Sequence, residues 1–352
     1  MDEIEKKPPM RRIATEEAFS IPEHYDAIRA LAAAGSEEPD LVMWRHFLGN
    51  SRPAFVDNLM DVDRQRLRTM DELGVGMHLL SLTSPGVQMF EAGLAAEVAE
   101  AANDRLAEIK ARHPDRYAGL ASFAPQDPKR AAREMERAIT KLGLNGFVLN
   151  SHTNGEYLDE PKFRPILEAA AGLDAAIYIH PRVPPKPMAD LAVKYALESG
   201  HWGFQSDAAL HVLRIMYSKA FDDFPNLKIV LGHMGEGLPY WMWRLDYWHK
   251  NGGRRPPLKK LPSDYIRENL MITTSGMDWA PTLKFGLDVL GPDNIMFAID
   301  YPYQEARLSV EFMDSVDIPD DVREKIYHRN AERIFKIPSA PGIAATGAKE
   351  NA

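Results

Sequence analysis

Short apolar runs recur along the chain at intervals typical of a protein with alternating strands and helices. Each run is nearly continuous in apolar residues and ends at turn-forming or polar residues, a pattern typical of strands buried on both faces of a parallel sheet. The runs cover residues 13–19, 77–85, 117–125, 145–152, 175–181, 227–235, 270–276 and 295–302. The pattern therefore predicts eight β-strands.

Several of the segments between these runs have apolar residues at helical spacing. Such spacing occurs over 94–112, 129–142 and 163–171, each between two predicted strands. Strands that alternate with helices are the signature of a wound parallel sheet, and eight such strands close most simply as a barrel. We therefore predict an α/β fold, a (β/α)8 TIM-like barrel. A charged run at 63–74 is interpreted as a solvent-exposed helix face that ends at Gly74.

The chain of 352 residues is interpreted as one domain. Barrels of this class run past about 250 residues as a single domain when they carry insertions. We expect the domain to span 11–337, with flexible tails at 1–10 and 338–352. Residues 20–56 and 182–207 are too many for simple loops after the first and fifth strands. We expect both insertions to cover the mouth of the barrel, where the active site of a barrel enzyme lies.

Composition narrows the possible functions. The chain has 51 acidic and 42 basic residues without the basic stripe typical of nucleic-acid binding, and its 45% hydrophobic content is enough for a core. It has no cysteine, which excludes disulfides, thiolate zinc sites and a cysteine nucleophile. It also has no glycine-rich phosphate loop, so we expect no nucleotide cofactor.

The hydropathy of the chain bears on its location. No apolar stretch approaches the roughly 18 residues of a membrane span, and residues 1–12 lack an apolar segment of signal-peptide length. We therefore expect a cytoplasmic protein with no membrane partner.

Four of the predicted strands each end on a residue able to bind a divalent metal. These residues are Glu16, His180, His233 and Asp300. Because the carboxyl ends of parallel strands meet at one rim of a barrel, we expect these imidazole and carboxylate groups to lie close together. The sequence therefore predicts a divalent metal site. The alternative is a set of hydrogen-bonded polar residues at the rim.

The first strand carries two adjacent glutamates, Glu16 and Glu17. Only one of them can face the barrel interior, because neighbouring side chains on a strand point to opposite faces. We assign Glu16 to the metal and expect Glu17 to form an ion pair or to support the site. His152, at the end of the fourth strand, is the alternative ligand.

Several strings around these residues resemble the amidohydrolase superfamily, specifically its metal-dependent aromatic decarboxylase branch. The strings are TEEAF, LTSPGVQ, APQDP, YIHP, GHMGEGLPYWMWRLDY and AIDYPYQ, and the resemblance extends over about 11–336. LTSPGVQ and DYPYQ are shared with the 5-carboxyvanillate decarboxylases of that branch, whereas the γ-resorcylate decarboxylases differ at both. The resemblance implies nonoxidative decarboxylation of an ortho-hydroxy aromatic acid, with conversion of 5-carboxyvanillate to vanillate preferred.

The resemblance also implies the cofactor and the catalytic roles. It implies one divalent ion, Mn²⁺ or Zn²⁺, held by Glu16, His180 and Asp300, with His233 close to the ion and Asp300 as the proton donor. No organic cofactor is implied. Hydrolases of the superfamily usually carry His-X-His on the first strand and a bridging lysine on the fourth, and this chain has neither, so we expect a single ion. The γ-resorcylate enzymes have a histidine where this chain has Ala18.

A small aromatic acid as substrate needs positive charge or hydrogen-bond donors in a chain that is net acidic. Positions that contact substrate in the resembled family match Arg244, Tyr303 and Phe204, and Arg52 matches across a one-residue gap. Thr83, at the end of the second strand, is expected to line the same pocket.

An aromatic cluster follows the sixth strand. Its members are Tyr240, Trp241, Trp243, Tyr247 and Trp248. We interpret this cluster as helix packing or a subunit interface rather than a ligand site, and the resemblance implies a homodimer or homotetramer. The alternative for Arg244, which lies within the same segment, is a salt bridge to Asp246 or a helix cap.

Three functions are consistent with the sequence. The first is the decarboxylation described above, with γ-resorcylate or 2,3-dihydroxybenzoate as alternative substrates. The second is metal-dependent hydrolysis of a lactone or amide, which would use the same ligands to activate water. The third is a non-catalytic barrel that serves as a binding protein, although such a protein is expected to have lost metal ligands and this chain keeps all four.

Overall fold

Eight parallel strands form one sheet in which each strand pairs with the next in sequence order. The computed structural model describes residues 10–48, 53–254 and 256–339. The strands are β1 (Ile13–Phe19), β2 (Met77–Leu82), β3 (Tyr117–Ala121), β4 (Gly146–Asn150), β5 (Ile177–His180), β6 (Ile229–Leu231), β7 (Leu270–Thr273) and β8 (Ile295–Met296). The predicted α/β barrel is confirmed.

The barrel closes between β8 and β1 through backbone hydrogen bonds that lie mostly beyond the end of β8. The amide of Asp300 donates to the carbonyl oxygen of Glu16 at 3.0 Å, and the amide of Ala18 donates to that of Tyr301 at 2.8 Å. We call this junction of the first and last strands the seam. It brings the two carboxylates of the predicted metal site together from opposite ends of the chain.

Helices connect the strands and surround the barrel. They are α1 (Pro22–Ala33), α2 (Leu41–Leu48), α3 (Pro53–Met60), α4 (Gln65–Leu73), α5 (Ala92–Arg112), α6 (Pro128–Thr140), α7 (Arg164–Gly172), α8 (Lys186–Ala192), α9 (Gly203–Tyr217), α10 (Ala220–Asp223), α11 (Leu238–Asn251), α12 (Pro262–Asn269), α13 (Ala280–Leu290), α14 (Ala306–Ser315), α15 (Asp320–Glu324) and α16 (Asn330–Phe335). Short 3₁₀ turns occur at Pro161–Phe163, Val193–Tyr195, His233–Gly235 and Pro292–Asn294, and a π-helical turn covers Lys325–Arg329.

The bounds of the predicted helices follow from their caps. The helix predicted over 94–112 begins two residues earlier, because the Glu91 carboxylate accepts hydrogen bonds from the amides of Gly93 and Leu94. Asp127 caps α6 in the same way through the amide of Arg130.

Two hydrophobic cores hold the barrel, one on each face of the sheet. Alternate residues of β2 to β8 enter the barrel or face the helices, as Met77 and Leu79 do on the inside and Leu80 on the outside. In β1 a register shift between Ala14 and Glu17 interrupts this alternation. Phe335 of α16 closes the base of the interior core. Each fully buried aliphatic or aromatic side chain of this kind contributes about 1.5–3 kcal/mol to folding, so the strands form a rigid base for the rim.

The predicted insertions, residues 20–56 and 182–207, fall within the long connections after β1 and β5. Helices α1 to α4 lie between β1 and β2, and α8 to α10 lie between β5 and β6. Met43 of the first insertion and Phe204 of the second line the same cavity at the rim. The two insertions are joined by Arg182 and Asp40, both fully buried, whose Nε and Oδ2 atoms lie 2.8 Å apart.

The charged run at 63–74 forms α4, which ends as predicted at Gly74 in the left-handed conformation, φ 64°. The prediction that this helix face is solvated is wrong at Arg66, which is fully buried. Its guanidinium donates to the carbonyl oxygens of Ala18 and Asn58 at 2.6 and 3.0 Å. A buried cation therefore lies against β1.

Some predictions fall on residues outside the described ranges. Arg52 lies outside them, as do 1–9 and 340–352, which make up most of the two predicted tails. Across the ranges that are described, no helix combines the length and the apolar character needed to span a bilayer.

Candidate metal centre and active site

Glu16, His180 and Asp300 converge at the rim of the barrel. One ligand atom from each lies within 4.8 Å of the others, the only such group of histidine, aspartate and glutamate side chains found in residues 10–48, 53–254 and 256–339. His180 is the last residue of β5, and Asp300 follows β8. The prediction that all four residues stand at strand ends is wrong for Glu16, which lies in the middle of β1.

The two carboxylate oxygens of Glu16 have different surroundings. Its Oε2 atom accepts hydrogen bonds from the hydroxyls of Tyr178, Thr273 and Ser275, the Thr273 bond measuring 3.0 Å. We call these three residues the hydroxyl clamp. Its Oε1 atom is buried and has no hydrogen-bond partner. An unsatisfied buried oxygen is costly, so this atom is the one available to a ligand.

The nearest groups to this oxygen are two imidazole nitrogens. The Nε2 atoms of His180 and His233 lie 3.4 and 3.7 Å from Glu16 Oε1. The Nδ1 atom of His180 lies 2.8 Å from the carbonyl oxygen of Pro181, and that of His233 lies 2.7 Å from Glu236 Oε1. Because an acceptor lies at each Nδ1 atom, the Nε2 atom of each ring is the one that faces the site.

An unusual backbone presents His233 to the site. His233, Met234 and Glu236 have φ values of 48°, 56° and 51°, in the left-handed region that residues other than glycine rarely adopt. Gly232 packs so closely that an added Cβ would lie 2.7 Å from Glu16 Oε2. Strained backbone of this kind clusters at functional sites, and here it lets Glu236 turn back to contact the imidazole.

Burial and neighbouring charged groups shift the pKa values of the residues at the site. Burial raises the pKa of Glu16, but the charges of His233 and His180 outweigh it and bring the pKa below its ordinary value. Burial lowers the pKa of His233, but Glu236 and Glu16 outweigh it and hold the pKa well above its ordinary value. Burial also raises the pKa of Asp300. The site therefore favours an ionised Glu16 beside a carboxyl that retains its proton to higher pH.

Glu17 points away from Glu16, as predicted from strand geometry. Its carboxylate accepts hydrogen bonds from the amides of Ile299 and Tyr301, and it lies 3.9 Å from the Nδ1 atom of His78. Burial raises the pKa of Glu17 well above its ordinary value, against the two amides and the charge of Arg66. Glu17 is thus bound to backbone amides and is not part of the group formed by Glu16, His180 and Asp300.

The donor set at Glu16, His180 and Asp300 fits one divalent ion. Ligand atoms at metal distances of about 2.0–2.2 Å lie about 3–4.4 Å from one another, which agrees with the 3.4 Å between His180 Nε2 and Glu16 Oε1. Two carboxylates and one imidazole suit Mn²⁺ or Zn²⁺. The unpartnered Oε1 atom of Glu16 is the observation that supports this fit.

A cavity of about 990 Å³ opens in front of these groups. Its wall includes His180, His233 and Asp300 together with apolar and aromatic side chains of both insertions and of α11. Among the predicted substrate-binding residues, Arg244, Tyr303 and Phe204 line it. Thr83 is buried behind Tyr303, with 2.7 Å between the two hydroxyl oxygens.

Two alternatives from the sequence are not supported. Both ring nitrogens of His152, the alternative ligand, are engaged, Nε2 with the carbonyl oxygen of Val183 at 2.9 Å and Nδ1 with the amide of Gly155 at 3.2 Å, and His152 is not part of the group formed by Glu16, His180 and Asp300. Asp246 accepts hydrogen bonds from the amide and hydroxyl of Ser263 at the start of α12. Arg244, which faces the cavity, is therefore not explained by a salt bridge to Asp246.

The aromatic cluster on α11 does not pack into the core of its own chain. Its five members are all exposed, and the rings of Trp243 and Tyr247 stack on each other with 5.4 Å between centroids. A subunit interface at this face stays a prediction.

The model of the family described as Amidohydrolase matches residues 44–337, most of the chain. The chain belongs to the amidohydrolase family. The γ-resorcylate decarboxylase of Rhizobium sp. (strain MTP-10005) is 35% identical over 347 residues, which cover 94% of this chain and 99% of that protein. This relative carries the name of a decarboxylase, and the chain is accordingly a carboxy-lyase of the amidohydrolase family.

Two solved structures resemble this amidohydrolase over almost its whole length. The 5-carboxyvanillate decarboxylase LigW from Sphingomonas paucimobilis is 47% identical, with a TM-score of 0.91, and the match covers 94% of this chain and 100% of that one. The 5-carboxyvanillate decarboxylase of Novosphingobium aromaticivorans, solved with manganese and 4-hydroxy-3-methoxy-5-nitrobenzoic acid, is 38% identical, with a TM-score of 0.89 and coverage of 93% and 96%.

The hydroxyl clamp and Glu236 of this amidohydrolase were not among the residues predicted from the sequence. A signal for Tyr178 was present, because it stands two residues before His180 on the same strand and therefore faces the same side. Thr273 and Ser275 have the same spacing at the end of β7. Glu236 had no such signal, since its contact with His233 depends on the left-handed turn between them.

Proposed function

We propose that this amidohydrolase is a metal-dependent decarboxylase that removes the carboxyl group of an ortho-hydroxy aromatic acid without oxidation. The observation that carries the proposal is the unpartnered Oε1 atom of Glu16, which lies beside His180 and Asp300, two residues that line a cavity with aromatic walls. In this arrangement a bound ion would orient the aromatic ring of the substrate, and a neighbouring acid would protonate that ring.

Glu16, His180 and Asp300 would hold one Mn²⁺ or Zn²⁺ ion. When bound, the ion supplies a Lewis acid that orients the phenolate and carboxylate oxygens of the substrate. His233, whose Nε2 atom lies 3.7 Å from Asp300 Oδ2, is placed beside both the ion site and the acid. We assign His233 to catalysis as the group that shares a proton with Asp300.

Asp300 is the proposed proton donor. Protonation of the ring carbon that carries the carboxylate forms a carbon–hydrogen bond, and loss of CO₂ then breaks the carbon–carbon bond and restores the aromatic ring. Asp300 lines the cavity and lies 3.7 Å from Nε2 of His233, so its carboxyl is placed to receive a proton from the imidazole and to deliver it to a bound ring. The ligand and acid roles fall on different oxygens of the same carboxyl group.

The substrate pocket is proposed to comprise Arg244, Tyr303 and Phe204, with Thr83 behind Tyr303. Arg244 supplies positive charge, and its guanidinium lies 5.9 Å from the ring centre of Trp248 at the cavity wall. The Tyr303 hydroxyl, held by Thr83, is a donor for a substrate oxygen, while Phe204 offers an apolar face to the ring. The match of Arg52 to a substrate contact stays a prediction.

5-Carboxyvanillate is the first candidate substrate. The 47% identity to the Sphingomonas paucimobilis 5-carboxyvanillate decarboxylase supports it, as do LTSPGVQ and DYPYQ. γ-Resorcylate is the second candidate, supported by the Rhizobium relative, and 2,3-dihydroxybenzoate is a third.

The test is release of CO₂ from each acid by the Mn²⁺-loaded protein, followed by the ultraviolet spectrum of the ring and by detection of the decarboxylated product. We expect turnover of at least one acid, lost after chelation and recovered on addition of Mn²⁺. If no acid is turned over by protein that contains bound Mn²⁺, the proposal is wrong. Cleavage of a lactone or amide by the same sample would then favour the hydrolase.

A further inference from the structure

Three consecutive backbone amides around Asp300 are held by two residues of β1. The amide of Asp300 donates to the carbonyl oxygen of Glu16 at 3.0 Å. The amides on either side, those of Ile299 and Tyr301, donate to Oε1 and Oε2 of Glu17 at 3.0 and 3.2 Å. The single side chain of Glu17 therefore binds the chain immediately before and immediately after Asp300.

The segment that carries Asp300 needs such support because it is not part of a regular strand. β8 ends at Met296, and Asp300 has a φ of 73°, in the left-handed region. For a residue other than glycine this conformation costs about 1–3 kcal/mol and persists only where the surroundings impose it. In a regular sheet, the carbonyl oxygens of a neighbouring strand would accept hydrogen bonds from these amides. Here the two carboxylate oxygens of Glu17 accept them instead.

The surroundings of Glu17 fix its own position. Glu17 is fully buried, and so is the neighbouring Arg66. The guanidinium of Arg66 donates to the carbonyl oxygen of Ala18 and lies 4.7 Å from the ring centre of Tyr301, so it contacts both sides of the seam. His78 faces Glu17 from β2, with its Nδ1 atom 3.9 Å from Oε2. Arg66, His78 and the two amides therefore surround the Glu17 carboxyl and fix its orientation.

We propose that Glu17 is a positioning residue that fixes Asp300 in the conformation required for metal binding and for proton donation. Glu17 does not touch the site itself, because its two oxygens are directed at backbone amides. The inference rests on the roles proposed above for Asp300. The adjacent glutamates of β1 then have separate roles. Glu16 binds the ion, and Glu17 positions Asp300.

Glu17→Gln is the decisive variant, since it keeps the shape of the side chain but replaces one acceptor oxygen with an NH₂ group. That group cannot accept a hydrogen bond from either amide. With saturating Mn²⁺ and substrate we expect kcat to fall about 100-fold, as small misplacements of a catalytic group do, and KM for the acid to change less than about threefold. We expect the Kd for Mn²⁺, measured from the electron paramagnetic resonance signal of the free ion, to rise about 10-fold.

Thr274→Val is the matched control. The Thr274 hydroxyl donates to the carbonyl oxygen of Ala298 and accepts from the amide of Ala298, both at 3.1 Å, on the same segment but two residues before Asp300. We expect this variant to lose stability in urea while its kcat and Mn²⁺ affinity stay within about twofold of wild type. Equal losses of kcat in both variants would overturn the inference, because any lost hydrogen bond in the segment would then explain them.

Wild-type kcat and Mn²⁺ affinity in Glu17→Gln would also show the inference to be wrong. The Mn²⁺ titration needs no substrate, so it tests the inference even if wild type decarboxylates none of the acids, an outcome that would remove only the proposed function. If Glu17→Gln does not fold, Glu17→Asp withdraws both acceptors by one methylene and should weaken both quantities to a smaller degree. If neither folds, hydrogen exchange in wild type decides: unprotected amides at Ile299 and Tyr301 would contradict the inference.

Discussion

The hydroxyl of Tyr178 donates a hydrogen bond to Oε2 of Glu16. Thr273 and Ser275 bind the same oxygen, which leaves only Oε1 for an ion. Hydrogen bonds to a metal-binding carboxylate fix its orientation, and their loss typically costs 10- to 100-fold in metal affinity or activity.

Tyr178→Phe should therefore weaken Mn²⁺ binding by about 10-fold or more. The variant removes one hydroxyl from the hydroxyl clamp and lets the Glu16 carboxylate rotate. Its Kd for Mn²⁺ is to be compared with that of Tyr117→Phe, which removes another buried hydroxyl, one that donates to the carbonyl oxygen of Val62 at 2.6 Å. A similar Kd in the two variants would contradict a specific role for Tyr178.

Asp300→Asn should lower kcat for decarboxylation by about 100-fold or more, because an amide does not deliver a proton to the ring. The Mn²⁺ content of the variant is to be measured alongside kcat, so that loss of the ion is separated from loss of the acid. Asp288→Asn on the exposed face of α13 is the control and should leave kcat unchanged. Undiminished turnover in Asp300→Asn with bound Mn²⁺ would assign the proton to another group.

Mild acid should destabilise the fold through its buried neutral histidines. Burial lowers the pKa of His24 to about 4, of His152 to about 2 and of His211 to about 3. Because the unfolded chain takes up these protons near pH 6.5 and the folded chain does not, stability is lost as the pH falls below about 6.5. Asp207 acts in the opposite sense, since burial raises its pKa to about 6 and the folded state binds that proton first.

Each histidine should contribute a loss of about 1.4 kcal/mol in the free energy of unfolding between pH 7.5 and pH 5.5. Urea unfolding of wild type and of His24→Gln at both pH values tests this expectation. Removal of one titrating group should reduce the pH dependence of the variant by about that amount. An identical pH dependence in the two proteins would mean that His24 is not buried as a neutral group.

Asp40→Asn should lower the free energy of unfolding by about 3 kcal/mol, because it breaks a buried pair and leaves Arg182 with Glu38 as its remaining acidic partner. The exposed pair of Lys186 and Asp190 offers the control, and Lys186→Gln should change stability by no more than about 0.5 kcal/mol. Urea unfolding measures both. A loss in Asp40→Asn no larger than that of the control would show that the junction of the two insertions carries little stability.

The regular elements were predictable because each follows a local pattern. The apolar runs gave all eight strands in order, and three residues with imidazole or carboxylate groups, His180, His233 and Asp300, were found by their place at the end of a run. The last run was predicted over 295–302, yet strand pairing in β8 stops at Met296. Beyond Met296 the chain is bound by side chains such as that of Glu17. A hydropathy pattern does not show a contact between residues that are almost 300 positions apart in the sequence.

The contacts that orient the site were harder to predict for the same reason. Glu236 reaches His233 only through a turn of left-handed residues. Arg66 looked like part of a solvated helix because its neighbours are charged, but its buried position depends on the carbonyl oxygens of Ala18 and Asn58. The sequence shows which side chains can carry a charge or bind a metal. It does not show which of them are buried or which groups they contact, because both depend on tertiary structure.

The position of the site at the seam has a consequence for synthesis of the protein. Glu16 leaves the ribosome well before Asp300 is made, since almost the whole barrel lies between them in the sequence, so the full set of ligands exists only when the last strand has been made. An ion therefore cannot direct the early folding of the nascent chain. The barrel must first form from its apolar strands. Metal binding follows once β1 and the segment after β8 have paired at the seam.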